Sequence, residues 1–224
     1  MEITFERRFR GPLTSANGGY AAGRLAAFVD GDAGAVEVTL RLPPPLERPL
    51  AVVRDGAAAR LLDGEALVAE ARPASLDVEA PAPVSLDEAE VATARHVRGF
   101  STDFAECFVC GLREDGLEVH VGPVADREPL HAAPVELPES RTELVWAAVD
   151  CPGAYAVGAE GRGDIVLGRM TARVLRVPRA GERAIATSWP LGEDGRKLYA
   201  GTALFASDGE LLALSKQVWI APRS

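Results

Sequence analysis

The chain repeats one order of elements, and this repetition limits its fold more than any other feature of the sequence. Each half contains a strand, then an apolar helix, then a series of short strands joined by turns. In the first half Ala35 to Leu42 alternates apolar and polar residues before Pro43, as a half-buried strand does. In the second half Met170 to Val174 alternates in the same way, and Pro178 follows. Two such copies indicate a duplicated unit.

The two copies share a turn and are separated by a linker. Asp63-Gly64-Glu65 and Asp208-Gly209-Glu210 each precede a strand rich in Leu, Ala and Val, and Asp-Gly favours a tight hairpin. Ala74 to Pro83 is small, acidic and proline-containing, which is typical of a linker. Ser85 and Glu88 then predict a capping box at the start of a short helix. We therefore divide the chain into a first half over 1–73, a linker with a short helix over 74–100 and a second half over 101–224.

Composition and charge narrow the class of protein. Of the 224 residues 47% are hydrophobic, which is enough for one large core or two small fused ones. The net charge of -9 disfavours a nucleic-acid partner, because phosphate binding needs a basic surface. No segment has the length and apolarity of a membrane span, and the first residues lack the apolar run of a signal peptide. With three cysteines, too few for a disulfide framework, the sequence predicts a cytoplasmic protein with no membrane partner.

Two helix starts carry the candidate chemistry. Asn17-Gly18-Gly19-Tyr20 opens an apolar run, and glycine N–H groups at a helix N-terminus can donate to an incoming oxygen. The helix that follows Arg141 places Asp150 among apolar residues, where a carboxylate is costly to bury unless a partner or chemistry uses it. Pro152 predicts a bend just after this carboxylate. Together the two starts can form an acyl-transfer site.

The glycine helix start, the wrapping strands and the pattern Gly195-Arg196-Lys197-Leu198 before Asp208-Gly209-Glu210 resemble the hotdog-fold acyl-CoA thioesterases, in particular the phenylacetate-pathway type. The resemblance occurs once per half and covers nearly the whole chain. It implies an α+β double hotdog, with two antiparallel sheets that each wrap one long central helix. We expect the two sheets to pack into one continuous antiparallel surface with both helices on the same side.

The family's site motif is divided between the two helices. In that family a His-Gly-Gly segment begins the helix, and an acid eight positions after the first glycine acts from the partner subunit's helix. Here Asn17 replaces the histidine, and the position eight after Gly18 is Ala26, which is not an acid. In the second helix Asp150 lies eight positions after Thr142, where the glycines are missing. The resemblance therefore implies one composite site.

Thioester hydrolysis at this site gives each residue a role. The N–H groups of Gly18-Gly19 would stabilise the tetrahedral oxyanion, and Asp150 would act as general base or as nucleophile. Each also has a structural alternative: N-cap for Asn17, close helix packing for the glycines, and an ion pair with Arg169 or Arg173 for Asp150. Coenzyme A enters as part of the substrate and no separate cofactor is implied. The competing function is non-catalytic binding of an acyl group or acyl-CoA.

Further residues are candidates for substrate binding. The aromatic residues Tyr20 and Trp146 lie near the helix starts and can line an acyl pocket, although buried aromatics usually fill a core. The basic candidates for the coenzyme A phosphates are Arg169, Arg173, Arg196 and Lys197, whose alternative is a solvated strand face. The implied partner is a small-molecule acyl-CoA, and assembly into a homo-oligomer stays open.

Cys107-Phe108-Val109-Cys110-Gly111 is half of a zinc knuckle. A structural zinc needs two more ligands from Cys151, His96, His120 or His131, and no second pair at ligand spacing exists. We therefore expect no stoichiometric metal. A redox pair is disfavoured too, because no thioredoxin-like alternation of strands and helices surrounds the motif. The motif is then interpreted as a turn, and Cys151 as a small apolar residue of its helix.

Overall fold

A computed structural model describes residues 1–30, 34–97, 102–159 and 162–222, and in it the strands form one antiparallel sheet. The strands are β1 (Glu2–Thr4), β2 (Ala35–Leu40), β3 (Pro49–Asp55), β4 (Ala58–Asp63), β5 (Ala66–Ala74), β6 (Gly122–Pro123), β7 (His131–Glu136), β8 (Val166–Val174), β9 (Arg183–Asp194), β10 (Lys197–Ala206) and β11 (Leu211–Ile220). The helices are α1 (Gly18–Ala26), α2 (Leu86–Thr93), α3 (Thr142–Ala148) and α4 (Cys151–Ala156), with 3₁₀ turns at Arg7–Phe9 and Thr102–Phe104. Within the described ranges, no helix has the length and apolarity that crossing a membrane requires.

The strand order places the two halves of the chain at opposite ends of the sheet. It runs β1-β3-β4-β5-β2-β8-β11-β10-β9-β7-β6. The halves join where β2 pairs antiparallel with β8, and Val38 lies opposite Met170 there. Counted outwards from this joint, β2-β5-β4-β3-β1 on one side corresponds to β8-β11-β10-β9-β7 on the other. The sequence predicted two sheets packed into one surface. The structure has a single sheet instead, because the hydrogen-bonded ladder between β2 and β8 joins the strands of the two halves.

The equivalent hairpins agree with the turn that the two copies share. Gly64 joins β4 to β5 and Gly209 joins β10 to β11, with φ of 60° and 90°. A positive φ costs glycine little, because it has no Cβ. The capping box at α2 is also present, since the Ser85 side chain accepts from the Glu88 N–H and the Glu88 side chain accepts from the Ser85 N–H.

Two local expectations differ from the structure. Leu117 to Val121 alternates like a strand but forms none, because Glu118 adopts a φ of 49° and interrupts the extended backbone. Pro129, two residues earlier, predicts a loop at His131, whereas His131 begins β7 and pairs with Ser188 of β9. The last three residues of the predicted linker, 98–100, lie outside the described residues.

Helices of the two halves pack against each other where the first helix carries glycines. α1 packs on β2, β4 and β5, α4 packs on β7, β9 and β10, and α3 packs against α1. A Cβ on Gly19 would lie 2.5 Å from Asp150 Cβ, and one on Gly23 would lie 2.8 Å from Glu143 Cα. Glycine at these two positions, one helical turn apart, lets the helix backbones approach closely. This contact brings the first-half helix start to the second-half carboxylate.

Candidate active site

The second helix breaks at Asp150. α3 ends at Ala148 and α4 begins at Cys151, with Pro152 in its first turn. Gly153 N–H donates to Asp150 O at 3.0 Å, instead of to the Val149 carbonyl as in a continuous helix. Gln217 Nε2 donates to that Val149 carbonyl at 2.6 Å. The predicted bend is therefore present, and it lies at the carboxylate itself.

Asp150 is buried, with 2% of its surface exposed. Its Oδ2 accepts hydrogen bonds from Gly19 N–H at 2.8 Å and from Asn17 Nδ2 at 2.9 Å. Its Oδ1 is buried and has no partner in the part of the chain that the structure describes. Burial raises the pKa of Asp150 to about 7, against the two hydrogen bonds, which lower it. A carboxyl that exchanges its proton near neutral pH suits a general base.

Asn17 joins the helix start to this carboxylate. Its Oδ1 accepts from Tyr20 N–H at 2.8 Å, which makes Asn17 the N-cap of α1. Its Nδ2 donates to Asp150 at 2.9 Å. The sequence left the N-cap role and the site role of Asn17 as alternatives. In the structure the amide oxygen caps the helix and the amide nitrogen contacts the carboxylate, so one side chain does both.

The two glycines of the helix start differ in what their N–H groups do. Gly19 N–H is engaged by Asp150. Gly18 N–H has no acceptor among the described residues, and Gly18 lines a cavity. The first N–H groups of a helix lack intrahelical partners and lie at the positive end of the helix dipole. Gly18 is therefore the donor left for a ligand oxygen.

The cavity beside Asp150 has a volume of about 310 Å³, at the lower end of the range for small-molecule sites. Asn17, Gly18 and Asp150 contribute its polar wall. Most of the remaining wall is apolar and includes Leu40, Leu42, Pro43, Pro44, Val166 and Leu167. Arg41 adds a cation to the lining, and its Nε donates to Glu70 Oε1 at 3.0 Å. The arrangement suits an apolar group that ends in a carbonyl beside Gly18 and Asp150.

The predicted aromatic residues do not line this cavity. Tyr20 is 1% exposed and its ring stacks on Phe9 at 4.0 Å, in the core. Trp146 is buried against Gly23 and lines a second cavity, at the other helix start, together with Glu143. In that second cavity Glu143 accepts from Arg141 Nη2 at 2.5 Å, so its carboxylate is already paired.

The four predicted basic residues also lie outside the Asp150 cavity. Each arginine has a hydrogen-bond acceptor elsewhere: Arg169 donates to Thr39 Oγ1 at 3.1 Å, and Arg173 donates to Gly34 O at 2.7 Å. Arg196 donates to Ala221 O at 2.8 Å. Lys197 is exposed at the start of β10. Asp150 bonds to Asn17 and Gly19, so the proposed ion pair with Arg169 or Arg173 is not what holds it.

The three cysteines lie together next to the carboxylate. All three are buried free thiols, and the Sγ atoms of Cys107, Cys110 and Cys151 lie within 4.8 Å of one another. Gly111 N–H donates to Cys107 O at 2.9 Å, so the motif does form a turn. The interpretation of Cys151 as a purely apolar residue is incomplete, because its Sγ lies 3.7 Å from Cys107 Sγ.

Sequence reasoning missed Gln217 and Arg41. Gln217 is fully buried on β11, and its amide also accepts from Trp219 Nε1 at 2.8 Å. A signal existed, because Ser215 and Gln217 fall on the strand face shared with Ala213 and Trp219, and polar residues on a buried face need partners. Arg41 follows β2, on the polar side of the alternating segment Ala35 to Leu42, and gave no comparable signal.

Known proteins resemble this chain in structure and not in sequence. No protein-family model and no curated protein matches the sequence. The acyl-CoA thioesterase II TesB2 of Mycobacterium marinum superposes with a TM-score of 0.63 at 12% identity, covering 100% of this chain and 93% of that one. A conserved protein of unknown function with a hot dog fold from Alicyclobacillus acidocaldarius gives 0.61 at 12% identity, with coverages of 100% and 93%.

A third likeness is to the dehydratase domain of a mycocerosic acid synthase-like PKS. It has a TM-score of 0.65 at 17% identity and covers 100% of this chain and 90% of that domain. Identities this low show a shared architecture and leave the activity open. With the antiparallel sheet and the helices packed on it, these likenesses show that this α+β chain has the hotdog fold.

Proposed function

We propose that the chain hydrolyses an acyl-CoA thioester at a composite site built from Asn17, Gly18 and Gly19 of the first half and Asp150 of the second. One observation carries the proposal. Within the described ranges, a buried carboxylate with one unpartnered oxygen and a helix N–H without an acceptor belong to residues that line the same apolar cavity. This is the pairing of base and oxyanion donor that acyl transfer to water requires.

The chemistry follows from these positions. Asn17 and Gly19 hold Oδ2, so Oδ1 of Asp150 is left to take a proton from a water molecule. The water attacks the thioester carbonyl, whose oxygen becomes an oxyanion and accepts from Gly18 N–H. Such a preorganised donor lowers the barrier by about 3 kcal/mol. The tetrahedral intermediate collapses with departure of the coenzyme A thiolate, which takes up a proton, and leaves a carboxylic acid.

A direct attack by Asp150 uses the same geometry. It gives a mixed anhydride, which water then cleaves. A single turnover in ¹⁸O-labelled water detects the direct route when water cleaves the anhydride at its aspartyl carbonyl, because the label then stays in the Asp150 side chain. General-base hydrolysis places the label only in the released acid.

The cavity lining indicates how a substrate lies. The apolar wall around Leu40 and Leu167 takes the acyl group. Arg41 replaces the basic residues that the sequence suggested as the partner of a coenzyme A phosphate, because it is exposed and lines the cavity. Its Nε and Nη2 both donate to Glu70 Oε1, so a phosphate oxygen would be met by Nη1.

We further propose that the chain is a double hotdog, in which the two halves pack as two subunits of a dimer do. The mirrored strand order about β2 and β8 and the equivalent hairpins support this. On this view the site at α3, with Glu143 paired to Arg141, is the degenerate copy.

Two observations weigh on the choice of reaction. The name of the Mycobacterium marinum protein supports thioester hydrolysis. No histidine is among the residues that line the cavity in the described part of the chain, which disfavours a dehydratase that needs an Asp and His pair. The apolar lining alone equally supports the alternative, a non-catalytic acyl-CoA binding protein.

The test is a panel of acyl-CoA thioesters assayed for release of free thiol. Asp150→Asn keeps the shape of the side chain and removes the base, so turnover should fall by at least about a hundredfold. Glu143→Gln is the matched control at the other helix start and should keep the wild-type rate. A wild-type chain that binds acyl-CoA without releasing thiol is a binding protein. Full turnover by Asp150→Asn rejects the assignment of Asp150.

A further inference from the structure

The sulfur atoms of three cysteines, from two distant parts of the chain, lie close together. Cys107 and Cys110 belong to a turn before β6, and Cys151 begins α4. The Cys107 and Cys151 sulfurs are 3.7 Å apart, and all three lie within 4.8 Å of one another. The thioester chemistry proposed above uses none of them.

These distances match a tetrahedral thiolate site. A metal–sulfur bond of about 2.3 Å places two sulfurs of a tetrahedron about 3.8 Å apart. The Cys107–Cys151 separation of 3.7 Å already has this value. Sulfurs held within 4.8 Å reach it by side-chain shifts of less than about 1 Å, the scale of small rotamer adjustments.

A hydrogen-bond donor lies close to each sulfur. Val109 N–H donates to Cys107 Sγ at 3.4 Å. Asn17 Nδ2 lies 3.8 Å from Cys151 Sγ, and the Tyr155 side chain hydrogen-bonds Cys110. Three thiolates and a divalent cation carry one net negative charge, and donors around the sulfurs offset it in the way that outer-shell groups do in metal sites.

Two of the three cysteines border a cavity. Cys107 and Cys151 are among the residues that line the cavity beside Asp150, which is the side from which an ion would approach. Among the described residues, no carboxylate or imidazole completes the set of three thiols. A fourth ligand therefore comes from the cavity, as water or as a ligand group.

The sequence led us to expect no metal here, because no second ligand pair stands at ligand spacing, but the fold brings Cys151 to the other two thiols. We propose that Cys107, Cys110 and Cys151 bind one thiophilic divalent cation, with Zn²⁺ as the expected ion and a fourth position open to the cavity. Binding breaks three S–H bonds and releases three protons for each ion. The ligand set and the low net charge select a thiophilic cation over Mg²⁺ or Ca²⁺, which prefer oxygen ligands. This proposal does not depend on thioester hydrolysis, because it concerns the thiols alone.

The experiment uses the full chain without a polyhistidine tag, reduced and freed of metal by dialysis against a chelator. Titration with Co²⁺ should produce a thiolate-to-cobalt charge-transfer band that saturates at one ion per chain. Zn²⁺ should then abolish the band, and elemental analysis should give one zinc per chain after gel filtration. No band, or less than half an equivalent of zinc in the reduced protein, overturns the proposal.

Variants identify the ligands. Cys107→Ser, Cys110→Ser and Cys151→Ser should each weaken Co²⁺ binding by at least about a hundredfold, because loss of a ligand exceeds the 10–100-fold effect of outer-shell changes. Tyr155→Phe should weaken it within that 10–100-fold range. Val109→Ala is the matched control, because Val109 is buried between the two motif cysteines and carries no thiol.

Two outcomes reject the site. The first is Co²⁺ binding that survives all three serine variants, since the ions then lie elsewhere. The second is loss of two thiols to a disulfide, with no metal uptake after reduction. If a serine variant fails to fold, the wild-type band and stoichiometry still decide the question.

Discussion

Gly19→Ala tests whether the contact between α1 and α3 depends on the absence of a side chain. A Cβ on Gly19 would lie 2.5 Å from Asp150 Cβ and 2.6 Å from Trp146 O. Ordinary contact begins at 3.4 Å, which is 0.9 Å more than the first distance. The obstructing atoms include backbone, so the helix containing Trp146 has to move, and it carries Asp150 with it.

The expected cost follows from this overlap. Overpacking of a well-packed core costs about 1–3 kcal/mol. Alanine is better than glycine in a helix by up to about 1 kcal/mol, which offsets part of the cost. A net loss of about 1–2 kcal/mol lowers the midpoint of thermal unfolding by about 2–8 °C for a chain of this size. Turnover should fall as well, because Oδ2 of Asp150 loses its bond to Gly19 N–H.

The assay is thermal unfolding followed by circular dichroism, with thiol release measured on the same samples. Gly18→Ala is the control for stability. Its Cβ would meet Leu167 Cδ2 at 3.1 Å and Leu40 Cδ1 at 3.2 Å, which are the ends of flexible side chains, and Leu167 Cβ at 3.3 Å, which is close to ordinary contact. Gly18→Ala should stay within about 0.5 kcal/mol of the wild type. A Gly19→Ala protein as stable as Gly18→Ala would refute the close packing of α1 on α3.

Three further outcomes are expected. In chelator-treated protein, kcat/KM should rise with pH through about 7 and level off at higher pH. The base form of Asp150 is the carboxylate, and burial raises the pKa of Asp150 to about 7. A flat profile from pH 5 to 9 would exclude Asp150 as the base. Asn17→Ala removes the N-cap of α1 and one hydrogen bond to Asp150, so the free energy of unfolding should fall by about 1–2 kcal/mol and turnover should also fall. If neither quantity changes, the Asn17 amide is dispensable. Arg41→Ala should raise KM for acyl-CoA with little change in kcat, because Arg41 lines the cavity but is not one of the two residues that hydrogen-bond Asp150. An unchanged KM would place the coenzyme A phosphates elsewhere.

Local patterns predicted most of the elements. Alternation identified β2 and β8, the Asp-Gly turns identified the equivalent hairpins, and the Ser85 capping box identified α2. These features depend on residues close together in the chain, so the sequence displays them directly. The same reasoning failed for Leu117 to Val121, because one residue with positive φ ends an extended run that alternation alone favours.

The sequence by itself singled out the candidate residues, namely the Asn17-Gly18-Gly19 start and the carboxylate of Asp150, and it displayed the Cys-x-x-Cys segment that we interpreted as a turn. Only the tertiary structure decided which of these groups lie together. It engaged Gly19 N–H with Asp150, left Gly18 N–H without an acceptor among the residues that the structure describes, and brought Cys151 to the other two thiols. Tyr20 and Trp146 lie outside the cavity because both fill the core. Hydrogen bonds and burial between residues more than 40 positions apart depend on how helices pack on the sheet, which short-range patterns do not encode.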